Sequence, residues 1–395
     1  MRSRAPPNEP GAIPSSYISW ASQENICFAH PGYDGDFSSF VFLSLPRLDD
    51  GGVCYDTAIT ACGIIACNQW SGFFSVDKSG QRRVERPVDG ILRDDEYYFH
   101  LPTSGAEPYP VVPRFSDWSF PHRNMPANWT SLQLQTSERL QDVAVNQRPP
   151  FCVATKYAHG VDVIHLVPTA EREWWSQNRM DLYGNQEALY YSSSGQDTPA
   201  NLLPLRTDLH RVFDERQLCF VPKEVEEDDS TKRLRLLIHV VVRCRGGEIG
   251  GLWHNRSLHG VPPGLSKQCL FARFAYTILN PTVSSASFIS GALMPLRLYV
   301  RNPETGIPAA KMHSPAECRK LMRHARSRSP RKRSVAPQDN DGDDEKTTVN
   351  SPEVSEYHKF VVESDDEPRR GRSRKRHFEA GDYDEDSRSW RLRRY

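Results

Sequence analysis

The chain has nine cysteines but no two of them are spaced C-x-x-C. A zinc ribbon held by two such pairs is therefore excluded, and no structural zinc is expected. Cys152-Val153-Ala154-Thr155 has the spacing of only half of one pair. An odd number of scattered cysteines reads as buried free thiols in a reducing compartment. Long apolar runs are also missing. The longest, Leu234 to Val242, is interrupted by Arg235 and His239, so no membrane span is expected. The first residues, MRSRAPPNEPGAIPSSY, have no apolar core and do not read as a signal peptide. These features together imply an intracellular protein, in which the sequons at Asn128 and Asn255 carry no glycan. Net charge is absent too, with 50 basic residues against 50 acidic ones. Any affinity for a polyanion must then come from local patches.

What is present is uneven. Hydrophobic residues make up 38% of the 395 positions, which implies that part of the chain lies outside any core. Residues 1–35 are rich in Pro, Ser and Gly and read as irregular. Residues 36–146 read as a β-rich domain, with strands at Phe37–Leu45, Trp70–Asp77 and Tyr97–Leu101. Within it, Tyr55 to Cys67 (YDTAITACGIIAC) fits both periods and is taken as a buried strand. Pro108 to Trp129 reads as an ordered loop packed by aromatics, and Ser137 to Gln147 as a helix. Residues 147–300 form the next domain, and 301–395 a linker and disordered charged tail. The fold class is α+β.

The tail alternates basic and acidic blocks that do not fold alone. Arg326–Arg333 and Arg369–Arg376 are basic runs with the character of nuclear localisation signals. They imply a nuclear protein whose tail binds an import receptor, and they also suit phosphate contacts.

The most informative stretch is 151–220. Val161 to Val167 is a β-branched run stopped by Pro168, so a strand is expected with His165 on it. Leu202 to Leu205 is a second apolar run. Thr207-Asp208 then suits a helix start, with Leu209, Val212 and Phe213 at helical spacing. His210 and Asp214 are four residues apart and share one helix face. Between the halves, Thr169 to Met180 reads as a helix capped by Thr169. Its Trp174-Trp175 pair belongs either to the core or to a surface that stacks on bases. Gln217–Val221 and Leu234–Val242 read as paired strands. Ser266–Leu279 reads as an amphipathic helix packing on the unit before it.

Strand, loop, strand and short helix in this order resemble the HNH endonuclease family, whose core is a ββα-metal unit. The resemblance rests on His165, Asn201 and His210, the last two being nine positions apart. It is closest to fungal HNH-domain proteins, through Cys152–Thr155, His165–Pro168, Trp174-Trp175 and the run Leu205–Asp214. It implies a phosphodiester hydrolase acting on nucleic acid, DNA in the first instance. His165 would be the general base and Asn201 an orienting residue. His210 and Asp214 would hold one divalent metal, Mg²⁺ or else Mn²⁺. The chain departs from the family at Ile164, where an acid or histidine often supplies another ligand. Two readings stay open: a metal-dependent endonuclease, and a degenerate HNH-fold module that binds nucleic acid or protein.

Overall fold

The computed structural model describes residues 25–102, 107–136, 151–184, 195–226, 232–242, 248–280, 283, 286–302 and 304–326 of the chain. All of them fall in one compact unit, residues 1–331. The helix expected over 137–147, the domain boundary expected near 146 and the charged tail beyond 326 lie outside the described residues.

The chain begins with β1 (Asn25–Ala29) and β2 (Val41–Pro46), paired antiparallel. The first part of the strand expected over 37–45 is instead a 3-10 turn, Phe37–Phe40. β3 (Val53–Cys54) runs directly into α1 (Tyr55–Ile65). Then follow β4 (Phe73–Ser75), β5 (Arg83–Val84), β6 (Ile91–Leu92) and β7 (Glu96–His100). A five-stranded sheet forms in the order β2-β1-β7-β4-β5, with β1 and β7 parallel.

Tyr55–Cys67 is thus a helix over most of its length, not the buried strand expected. Eight of the eleven residues of α1 are buried, so no polar face marks its period. Its Ala and Gly positions let neighbours approach from every side. A side chain at Gly63 would meet the Trp70 ring at 2.7 Å.

The second half adds α2 (Ala127–Thr130), β8 (Val161–His165), α3 (Arg172–Gln177), β9 (Leu202–Arg206) and α4 (Thr207–Asp214). β10 (Leu218–Glu226) and β11 (Lys232–Val240) pair antiparallel, as expected for this stretch. α5 (Glu248–Trp253), α6 (Lys267–Ile278) and α7 (Ala286–Ser290) follow. The expected helix over 169–180 is shorter and broken. A 3-10 turn precedes α3, Thr169 makes no cap, and Arg179 in the left-handed region stops the helix.

α6 is capped by Ser266, whose side chain accepts from the backbone N–H groups of Gln268 and Cys269. It is not amphipathic in use: ten of its twelve residues are buried. The aromatic loop 108–129 covers it, with Phe271 packed edge-on against Trp118, Phe120 and Trp129.

Residues 301–326, expected in a linker, are folded. β12 (Leu296–Arg301) and β13 (Pro308–His313) form a hairpin, and α8 (Pro315–Arg326) follows. Leu298, Cys318 and Met322 enter the core. Val111 exchanges backbone bonds with this hairpin: its N–H donates to the Arg297 carbonyl and its carbonyl accepts from Tyr299 N–H. The many charges here hide a four-residue spacing, Cys318 to Met322, that suffices to anchor a helix. One core therefore joins residues from β1 to α8, including Phe28, Phe99, Leu166, Phe213 and Phe271.

His30 lies inside this core. Its Nδ1 accepts from Gly32 N–H at 2.9 Å, so Nε2 carries the proton and donates to the Tyr109 carbonyl at 3.0 Å. Burial pushes its pKa down to about 3. The unfolded chain takes up a proton near pH 6.5 while the folded chain does not, so acidification favours unfolding. Between pH 6.5 and 5, urea titrations should show wild type losing up to about 1.4 kcal/mol per pH unit more than His30→Gln.

Candidate active site

β8 and β9 form a hairpin-like pair in which Asp162 faces Leu205 and His165 faces Leu202. Thr207 opens α4 and closes this unit, giving both its N–H and its hydroxyl to the Gly160 carbonyl at 2.7 and 2.9 Å. Leu209 and Phe213 pin α4 to the core. His210 and Asp214 therefore emerge on the helix's outer side.

His165 is partly exposed, and its Nε2 lies 2.6 Å from Asp197 Oδ1. A carboxylate can only accept, so Nε2 carries the proton of the neutral ring. Nδ1 is then the lone pair available to take a proton. Asp197 sits in the loop before β9, and sequence analysis left it unassigned. No motif marked it, because the two partners are 32 positions apart in the sequence.

Asn201 is fully buried and does not reach the site with its side chain. Its Oδ1 accepts from Val167 N–H at 2.9 Å, and its Nδ2 donates to the Val167 and Gln196 carbonyls. Its own carbonyl accepts from Leu166 N–H. Asn201 thus ties the backbone just after His165 to the backbone just before Asp197. It orients this pair through the main chain, leaving the ring's own polar contact to Asp197.

His210 stands between two carboxylates. Nδ1 is 3.0 Å from Asp162 Oδ2, and Nε2 is 3.1 Å from Asp214 Oδ2. A neutral ring can donate to only one of them. Hydrogen bonds from His210 and Thr207 hold the Asp162 carboxyl below the usual range. Asp162 was given no role from the sequence. It shares a strand face with Ile164, two positions on, and alternation puts His165 on the other face. Ile164 is buried, so the position where the family often has a ligand is apolar here. Asp162 supplies a carboxylate on that face instead. Three residues of strand, about 10 Å, separate Asp162 from His165, and no hydrogen bond between described residues joins the two histidine clusters directly.

Trp174 and Trp175 are 2% and 3% exposed, so neither can stack on a base. Trp174 instead stacks on Trp118 and donates to its carbonyl at 2.7 Å.

A buried cation from α6 braces the unit. Arg273 Nη1 lies 3.4 Å from the Leu166 carbonyl, Nη2 donates to the Phe213 carbonyl, and the guanidinium covers the Phe213 ring at 3.3 Å. Leu166 follows His165, and Phe213 precedes Asp214. Burial pushes the Arg273 pKa down to about 9, which leaves it charged at neutral pH. On the expected amphipathic helix Arg273 would have faced water, so its role was not legible.

A second polar cluster lies elsewhere. Among the described residues, Asp49, His239 and His254 bring ligand-type atoms within 4.8 Å of one another. The Lys223 ammonium already occupies the centre, 2.6 Å from Asp49 Oδ1. The His254 tautomer is fixed as well. Its Nδ1 accepts from Val240 N–H at 3.1 Å, so the proton is on Nε2, which points to Asp49 at 2.9 Å. That nitrogen has no lone pair for a metal. The Asp49 cluster is thus a hydrogen-bonded ion pair and does not fit a cation. Around His210, by contrast, the two carboxylates stand at opposite ring nitrogens, so one cation could take Nε2 with Asp214 or Nδ1 with Asp162, but not both carboxylates through the ring.

Replacing Arg273 by Leu should strand the Leu166 carbonyl, while the Phe213 carbonyl keeps the Arg216 N–H at 2.9 Å. The expected cost is about 1–3 kcal/mol for the buried acceptor left without a donor, read as a lower midpoint in chemical denaturation.

No curated protein and no solved structure matches this chain. Residues 152–221 match the family model described as HNH endonuclease. That span begins at the Cys152–Thr155 turn, takes in β8, β9 and α4, and ends in β10. The hairpin and the helix found there are the ββα arrangement expected, and residues 152–221 are an HNH endonuclease-family domain.

Proposed function

We propose that the protein is a metal-dependent endonuclease that hydrolyses phosphodiester bonds of nucleic acid, DNA in the first instance. One observation carries this reading. Within the HNH domain, His165 is oriented by Asp197 with Nδ1 left to accept a proton, and His210 is flanked by Asp162 and Asp214.

A phosphodiester resists hydrolysis because its charge repels nucleophiles and its leaving alkoxide is poor. His165 takes a proton from the attacking water at Nδ1, and Asp197 stabilises the imidazolium that results. Asn201 holds both partners in place through the backbone. His210, through Nε2, and Asp214 would hold the divalent metal, which when bound neutralises charge developing on the phosphate and leaving oxygen, while Asp162 would orient the ring from Nδ1. The scissile phosphate would lie between the two clusters.

The buried Ile164 favours a second reading. With an apolar side chain at that position, the domain would be a degenerate HNH module that binds nucleic acid or protein without cutting. The basic runs at 326–333 and 369–376 support a nuclear location and tail contacts to phosphate or an import receptor under either reading.

A plasmid-nicking assay with Mg²⁺ or Mn²⁺ separates the two. Under the nuclease reading, His165→Ala lowers the rate by about 10²–10⁴-fold, the worth of a positioned base. Equal inertness of wild type and variant across metals and substrates would exclude catalysis. Isothermal titration with Mn²⁺ gives an independent measure. Wild type should bind, and His210→Ala should bind at least about tenfold more weakly. Metal affinity unchanged in the variant would remove His210 from the ligand set.

A further inference from the structure

The Asp49 cluster is a set of reactive groups held dry and close, and the nuclease reading does not use it. Lys223 on β10 is 1% exposed, Asp49 and His254 are 0% exposed, and Asn255 is 3% exposed. Lys223 Nζ lies 2.7 Å from Asn255 Oδ1, which puts the amine beside the amide carbon. One carboxylate oxygen, Asp49 Oδ1, is 2.6 Å from Lys223 Nζ and 2.8 Å from Asn255 Nδ2. The base that can receive the amine's proton thus touches the nitrogen that must leave.

We propose that Lys223 and Asn255 form an intramolecular amide cross-link, with Asp49 as the proton carrier. Three features make the site competent. Burial excludes the water that would otherwise solvate the ammonium and keep it inert. The carboxylate is fixed from several sides: Cys54 N–H donates to Oδ2 at 2.8 Å, and His254 Nε2–H donates to Oδ1 at 2.9 Å. The backbone at Asn255 is held at φ 61°, in the left-handed region, which keeps its side chain turned into the cluster. Proximity of this kind replaces a bimolecular aminolysis by a unimolecular one.

The step balances without a co-reactant. Asp49 Oδ1 takes a proton from the Lys223 ammonium, and the free amine adds to Asn255 Cγ, forming the Nζ–Cγ bond. Two protons in all pass from Nζ by way of Asp49 to Nδ2. The Cγ–Nδ2 bond breaks, ammonium leaves, and Asp49 returns to its carboxylate. Lys223 becomes a secondary amide, and no oxidant or metal takes part. The bond would join β10 to the turn after α5.

The test is the mass of the purified full-length chain under denaturing conditions. Wild type should be lighter than its calculated mass by one molecule of ammonia. Lys223→Arg and Asp49→Asn should each have the full mass of their sequences. After tryptic digestion, residues 217–232 and 246–256 should travel as one branched peptide. An unshifted wild-type mass in soluble, cooperatively folding protein overturns the proposal. So does a shifted mass in which the two peptides run apart, since that locates the loss in a cyclised asparagine. Wild type alone decides the matter if a variant fails to fold.

Discussion

Burying a guanidinium obliges the chain to bring acceptors to it, and Arg273 meets that demand with the two carbonyls that flank the HNH unit. Leu166 follows the first strand and Phe213 lies in the last turn of the helix. Neither carbonyl has its place set by the hairpin alone. A charge inside an apolar helix is costly unless its donors are used, so α6, β8 and α4 are fixed together. The aromatic loop that wraps α6 adds dispersion contacts but no direction. The direction comes from the hydrogen bonds.

The two histidines of the unit differ in what their carboxylates leave free. His165 has one acidic partner, which fixes its proton on Nε2 and leaves the other nitrogen basic. His210 has an acid at each nitrogen, and a neutral ring can donate to only one of them. The two imidazoles thus differ in surroundings although they stand on neighbouring elements. Asn201 serves the first without touching it, through the main chain of Val167 and Gln196.

The parts legible in the sequence were those whose signals are local. β8, β9 and α4 could be read from β-branched runs, Pro168, and the spacing of Leu209 and Phe213. His210 and Asp214 could be paired because four residues on a helix fix their neighbourhood. Asp197 could not, since a loop return has no period. Asp162 could not either, since strand alternation turns it away from His165 and its partner His210 lies 48 residues on. α1 misled because a segment buried on all sides shows no alternation of either kind. Residues 301–326 misled in the opposite way, their charges concealing the few apolar anchors. The Asp49–Lys223 pair spans 174 residues, and only the tertiary fold reveals it.

The continuity of the interior also bears on how such a unit can be moved between proteins. The family span ends inside β10, whose partner strand lies beyond it, and the brace on its two carbonyls comes from a helix some fifty residues further on. Recombination that transplanted 152–221 alone would sever that strand from its mate and leave the Leu166 carbonyl without its anchor. The inheritable piece is therefore larger than the recognisable motif, and shuffling it requires either the whole scaffold or a host that already provides an equivalent clamp.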